Sequence, residues 1–167
     1  MIKMKTKSIL SIVILLVFFS TKAVTGQTSP FSGEWKLNRT KTVLQSSRLF
    51  LSQIKINLKS DSLLTTRVYQ SDSGEEYPFV ENLSLDGKDC KIIIYDMPRT
   101  SKASFSAKTG LINVESTTTF YGDNGEDNLK AKETWKVEEK GNVLTFLTSG
   151  TSSAGSSADT LYFDRVK

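Results

Sequence analysis

The chain has 167 residues, with 22 Lys and Arg against 18 Asp and Glu, a single cysteine and no histidine. This length predicts one globular domain with a core large enough to need no disulfide bond, and Cys90 has no second cysteine to pair with. The absence of histidine excludes Ser-His-Asp and Cys-His catalysis and zinc sites that need imidazole, so any catalysis would rest on carboxylate, Lys, Tyr or Arg side chains.

The first 26 residues have the pattern of a secretory signal peptide. Three lysines precede an apolar run from residue 9 to residue 19, and small and polar residues follow up to Gly26. The apolar run is too short for a stable membrane anchor, which needs about 20 residues. No cysteine near the cleavage zone offers a site for lipid attachment. We therefore expect cleavage near Gly26 and an exported domain, residues 27–167, in the periplasm or the medium.

The excess positive charge of the chain belongs to this signal segment. Its four lysines leave with it, and 18 basic side chains then remain against 18 acidic ones. A chain with balanced charge has no basic surface of the kind that binds nucleic acid, so we expect no nucleic-acid partner.

From Phe31 onward, apolar and polar residues alternate with period two between turn signals, which is typical of half-buried β-strands. Residues 39–51 fit either a short helix or an irregular, lid-like connection. Asp86-Gly87 predicts a hairpin, Met97-Pro98 marks the end of a strand, and the Ser- and Gly-rich segment 149–157 predicts a flexible loop. The predicted strands are 31–38, 52–60, 63–70, 77–85, 91–95, 102–107, 111–121, 129–138, 143–148 and 160–166.

These elements predict an all-β fold in which consecutive strands pair antiparallel in up-and-down order. A meander of about eight to ten strands removes its exposed edges best by closing into a barrel. A two-sheet sandwich is the alternative that the pattern leaves open.

The opening of the domain and two later segments carry a resemblance to a known family. Gly33-Glu34-Trp35 resembles the Gly-x-Trp signature on the first strand of lipocalins and the wider calycin group. The opening 31–38 and the later segments 133–137 and 143–146 are similar to small secreted bacterial lipocalin-like proteins. The resemblance implies a lipocalin-like barrel in which a basic residue of the last strand, here Arg165, packs across Trp35 and plugs one end. Gly33 would allow that close approach.

Two glutamates fall in phase with the core residues of their strands, Glu81 and Glu133. A buried carboxylate without a partner costs several kcal/mol or stays protonated. Each should therefore pair with Arg67, Arg165 or a hydroxyl group, or else serve a function. Two carboxylates about 5 to 9.5 Å apart would suit glycoside hydrolysis.

A barrel of this size is either filled by side chains or holds one small ligand. We expect it to bind a small apolar or amphipathic molecule, with no cofactor and no metal. Inward Ser and Thr side chains (Thr66, Ser116, Thr118, Thr145) would make the interior moderately polar. The alternatives are a non-enzymatic structural or interaction module with a filled core, and a carboxylate-dependent enzyme that uses Glu81 or Glu133. The candidate cavity residues are Tyr77, Phe79, Glu81, Phe105, Phe120, Glu133 and Trp135.

Overall fold

The computed structural model describes residues 29–44, 49–122, 125–138 and 140–167. The predicted signal peptide lies outside them. Within these ranges, no helix is long and apolar enough to cross a membrane. Ten strands follow one another along the described chain: β1 (Gly33–Leu37), β2 (Leu49–Leu58), β3 (Ser62–Ser71), β4 (Glu76–Ser84), β5 (Cys90–Ile94), β6 (Met97–Ser106), β7 (Leu111–Gly122), β8 (Gly125–Val137), β9 (Val143–Ser152) and β10 (Gly155–Arg165).

The strands form a single antiparallel sheet in the order β4-β3-β2-β1-β10-β9-β8-β7-β6-β5. The first and last strands pair, with Trp35 opposite Arg165, so the sheet curls round into a nearly closed up-and-down barrel. The predicted all-β barrel is thereby confirmed. The two-sheet sandwich is excluded for the described part of the chain, because one sheet contains all of its named strands.

A seam separates β4 from β5. Although Asp86-Gly87 predicted a hairpin here, no backbone ladder joins these two strands among the described residues. Gly87 turns the chain with a φ of 78°, but Asp86 then lies opposite Ser104 of β6 in an isolated bridge. Farther along the seam, the hydroxyl of Tyr95 donates a hydrogen bond of 2.7 Å to the carbonyl oxygen of Pro78. The predicted bend is present at Gly87, but the predicted pairing of β4 with β5 is not found among the described residues.

The β5–β6 hairpin turns at Tyr95-Asp96, and Met97-Pro98 begins the next strand instead of ending the previous one. Both loop residues have positive φ, 48° and 65°, as a tight two-residue hairpin requires. Proline is tolerated there because β7 pairs with β6 only from Arg99 onward, so no described strand pairs with that side of Pro98.

The segment 149–157 was wrongly predicted to be a flexible loop. Its first four residues extend β9 and its last three begin β10, with a turn between Ser152 and Gly155. The extension of β9 also pairs with β8 on its other side, Ser149 opposite Lys132. Residues 39–44 form turns and irregular backbone, 49–51 begin β2, and the rest of the predicted lid lies outside the described residues.

The interior of the barrel is organised in three layers. The end where β1 begins and β10 ends, called the closed end here, is filled by apolar side chains, with Trp35, Leu63 and Phe163 at most 1% exposed. A middle layer contains buried polar groups. The opposite end, called the open end, is lined by aromatic rings around a cavity. The middle layer comprises Thr65, Arg67, Glu81, Ser101, Ser116 and Glu133.

The facing of two strands differs from the prediction by one residue. Arg67 is fully buried, so Thr66 beside it points outward; Thr145 likewise points outward between two buried residues of β9. Ser116 and Thr118 face inward as predicted. A slip of one residue inverts the facing of a whole strand, so the inward position expected for Thr66 belongs to Arg67, one of the partners predicted for Glu81 and Glu133.

Candidate functional site

The closed end is sealed by the contact between Arg165 and Trp35. The guanidinium carbon lies 4.1 Å from the centroid of the indole ring, a cation–π geometry. Gly33 has a φ of 138°, and a Cβ added there would lie 2.5 Å from Nη1 of Arg165. The indole Nε1 donates a hydrogen bond of 2.8 Å to the carbonyl oxygen of Phe31. Gly33, Trp35 and Arg165 therefore form a closely packed plug.

Phe105, a predicted cavity residue, belongs to this closed end. Its ring meets that of Phe31 edge-on at 6.5 Å and is 42% exposed. The strand β6 starts at the open end with Met97 and runs to the closed end, so a residue near its end is far from the open-end rings.

A buried ion pair spans the middle of the barrel. Arg67 of β3 donates two hydrogen bonds to Glu133 of β8, Nη1 to Oε1 at 2.8 Å and Nη2 to Oε2 at 3.1 Å. The indole Nε1 of Trp135 donates a third, at 2.8 Å, to Oε2. Burial would lower the pKa of Arg67, but the charges of Glu133 and Glu81 outweigh it and raise the pKa. The guanidinium therefore stays charged in the core.

A second ion pair crosses the seam. Glu81 of β4 accepts hydrogen bonds from Arg99 of β6, Nε to Oε1 at 2.8 Å and Nη2 to Oε2 at 3.4 Å. The hydroxyl of Ser101 donates a bond of 2.7 Å to Oε1, and Nε of Arg67 lies 3.8 Å from Oε2. Burial would raise the pKa of Glu81, but the two guanidinium groups hold it below its ordinary value.

The four charged groups form one chain, Glu133–Arg67–Glu81–Arg99, which we call the ion network. Its two carboxylates are separated by a guanidinium group and already accept hydrogen bonds on both oxygens of each. A general acid needs a raised pKa and access to substrate. Glu81 has a lowered pKa and is 1% exposed. This arrangement is suited to structure more than to acid–base catalysis.

Above the ion network, at the open end, lies a cavity of about 650 Å³, called the open-end cavity here. Its walls contain a parallel pair of rings, Tyr69 and Phe79, 5.9 Å apart, and an edge-on pair, Tyr77 and Tyr95, 6.0 Å apart. Arg99 is the one charged residue among the described residues that line it. The other lining residues are Leu49, Ser71, Ile94, Met97, Thr118, Phe120 and Leu129.

A smaller cavity of about 170 Å³ adjoins it, since Leu49 and Tyr69 line both. Two carboxylates, Glu133 and Asp159, face this space. The Oδ1 atom of Asp159 is buried and accepts no hydrogen bond from the described residues. The interior next to the open-end cavity therefore contains a third carboxylate besides those of the ion network.

A depression of similar size, about 620 Å³, lies on the outer surface across β6 to β9. Three of its charged side chains are exposed and already paired, Lys102 with Glu115 at 3.0 Å and Lys132 with the same carboxylate at 3.3 Å; Asp89 and Lys130 also line it. Exposed pairs of this kind are common on solvated sheet faces. The open-end cavity, with aromatic walls and a buried polar floor, is the better candidate for a binding site.

The structure separates the predicted cavity residues into several groups. Tyr77, Phe79 and Phe120 line the open-end cavity. Glu81 lies beneath it and contacts it through Arg99, while Glu133 lines the smaller cavity and Trp135 is fully buried below. Sequence reasoning missed Tyr69, Arg99 and Asp159. Arg99 alternates with Ser101 and Ala103, and that period-two phase was the signal available for it.

Comparison of the chain with protein-family models, with curated proteins and with solved structures finds no match. The barrel is therefore assigned from strand order and register. The barrel and the closed-end plug are consistent with the resemblance to lipocalins.

Proposed function

We propose that the protein binds a small amphipathic molecule in the open-end cavity without chemical conversion. The observation that carries the proposal is an aromatic cavity of about 650 Å³ whose floor bears one guanidinium group, that of Arg99. Binding cavities for small molecules usually measure about 300 to 1,000 Å³ and combine apolar walls with a few polar groups that orient the ligand.

The depth of the site is set by the layer below it. The ion network is buried and the closed end is filled by Trp35, Phe163 and their neighbours, so a ligand would enter about as far as Arg99. Its apolar part would lie between rings such as Phe79 and Phe120, and its polar part would meet the guanidinium group. A flat ring or a short chain suits these walls, because aromatic faces bury much area at little cost in side-chain entropy.

The proposed place of action is outside the cytoplasm. The support for this is the basic, then apolar, then small-residue order of residues 1–26. N-terminal sequencing of protein recovered from the host tests it. A first residue at or near Gln27 supports export, whereas a chain that keeps Met1 in the cytoplasm contradicts it.

Binding itself is tested by fluorescence titration with Prodan, a neutral naphthyl ketone whose emission moves to the blue in apolar surroundings. Phe120 lines the cavity, and Tyr121 beside it points outward with 65% of its surface exposed. We expect saturable binding that Phe120→Ala weakens about five- to twenty-fold through lost apolar contact. The matched control Tyr121→Ala should bind like the unchanged protein.

Two results would count against this function. Absence of saturable binding by the folded protein would favour the filled-core interaction module. An equal loss of affinity in the two variants would place the dye on the outer surface instead of inside the barrel.

A further inference from the structure

We infer that the open-end cavity selects ligands with a neutral, hydrogen-bond-accepting head group and rejects carboxylates, although its charged lining residue is an arginine. The inference rests on the proposed function and names the ligand class. It follows from the charge balance of the ion network and from the hydrogen-bonding groups that Arg99 has left over.

The charge of Arg99 is already balanced. Its Nε and Nη2 atoms both face the carboxylate of Glu81, and the other guanidinium group of the network, Arg67, is held by Glu133 at both Nη atoms. Two cations and two anions thus cancel within the network. A ligand carboxylate beside Arg99 would be a third anion next to two guanidinium groups, at a side chain that is only 10% exposed.

The third inward carboxylate strengthens this argument. Asp159 faces the smaller cavity, and its Oδ1 atom is buried without a hydrogen bond from the described residues. The acidic and guanidinium side chains around the two cavities then number three carboxyl groups and two guanidinium groups. A negatively charged ligand would therefore meet an interior in which carboxyl groups outnumber guanidinium groups.

Arg99 nevertheless has N–H groups that could donate hydrogen bonds to a ligand. A guanidinium group carries five N–H bonds. Two go to Glu81, and one from Nη1 goes to the hydroxyl of Thr118 at 3.0 Å. One N–H on each Nη atom then has no acceptor among the described residues, and the side chain is 10% exposed. A carbonyl, ester or amide oxygen can accept these bonds without adding charge.

The test compares two ligands of equal size, 2-acetylnaphthalene and 2-naphthoate, in which a methyl group replaces a carboxylate oxygen. Near pH 7 the acid is ionised. Isothermal titration calorimetry of the unchanged protein should show the ketone binding at least about tenfold more tightly than the carboxylate. The neutral amide 2-naphthamide should bind closer to the ketone, which separates the effect of charge from that of polarity.

Glu81→Gln supplies the second arm. It leaves Arg99 without its counter-ion while the amide oxygen can still accept a hydrogen bond from Ser101. The preference for the ketone should then fall by about tenfold or reverse. The matched control is Asp86→Asn, which removes one negative charge from an exposed turn beyond the end of β4. Its ligand preference should equal that of the unchanged protein.

The outcomes separate this inference from the proposed function. If the unchanged protein binds the carboxylate as tightly as the ketone, or more tightly, the inference fails while binding in the cavity stands. If none of the three compounds nor Prodan binds, the proposed function fails with it. The comparison on the unchanged protein decides the matter even if Glu81→Gln does not fold, and a folded Glu81→Gln with unaltered preference overturns the charge-balance argument.

Discussion

Replacement of Arg67 by methionine should destabilise the protein more than most single substitutions. Arg67 is fully buried and donates both Nη groups to Glu133. In Arg67→Met, the Oε1 atom of Glu133 loses its hydrogen bond, and the carboxylate keeps the indole of Trp135 as its one donor. Glu81 is less affected, because it keeps Arg99 and Ser101.

The expected cost follows from the charge left behind. Removal of one partner of a buried ion pair typically costs about 3 to 5 kcal/mol, a large part of the total stability of about 5 to 15 kcal/mol that small domains have. For a domain of this size it corresponds to a fall in Tm of about 8 to 15 °C. Urea unfolding, followed by tryptophan fluorescence and by circular dichroism, measures it directly.

A double variant shows whether the uncompensated carboxylate is the cause. Arg67→Met combined with Glu133→Gln removes both charges, while the amide oxygen can still accept the hydrogen bond of Trp135. We expect it to recover at least about 2 kcal/mol relative to the single variant. A cost below about 1 kcal/mol for Arg67→Met, or a double variant no more stable than the single one, would refute the reasoning.

Three further predictions concern other parts of the barrel. The pKa of Glu81 lies below its ordinary value of 4.5, so the stability that its charge contributes is fully present above about pH 4.5 and is lost as the pH falls further. In Glu81→Gln the urea midpoint should therefore fall less steeply at acid pH than in the unchanged protein. An equally steep fall would contradict this. Gly33→Ala should cost at least about 2 kcal/mol of unfolding free energy. Its Cβ would lie 2.5 Å from Nη1 of Arg165, and hydrogen bonds to the carbonyl oxygens of Ser32 and Gly141 hold that guanidinium group in place. The control Gly74→Ala, with positive φ but open space, should cost less. Cys90 should react more slowly with a chromogenic disulfide than an unfolded cysteine does, because burial raises its pKa; a rate unchanged by urea would argue against this.

The sequence predicted the architecture because strand alternation and turn residues are local signals. Apolar and polar residues alternate from Gln53 to Leu58 in β2 and through most of β8. The pairing of Trp35 with Arg165 joins the first strand to the last. The plug could be predicted from the resemblance to a known motif, since Gly33 and Trp35 are close in sequence. These features require no knowledge of which distant strands face each other across the barrel.

The candidate site was harder to predict from the sequence, because its residues come together across the interior of the barrel. Arg67 and Glu133 lie on strands that are not neighbours in the sheet, so no local pattern links them. Pro98 predicted the end of a strand just before Arg99, and the serine-rich segment before Asp159 predicted a loop. The composition of a strand does not show that its backbone pairs on both sides, as residues 149–151 of β9 do with β8 and β10.

The most direct test of the central claim is a map of backbone amide NMR shifts as 2-acetylnaphthalene is added to the protein. Binding in the open-end cavity predicts that the largest shifts cluster around Tyr69, Phe79, Arg99 and Phe120, with little change at the closed end near Trp35. Shifts confined to the outer face of β6 to β9, or no saturable shifts in a folded protein, would contradict the account.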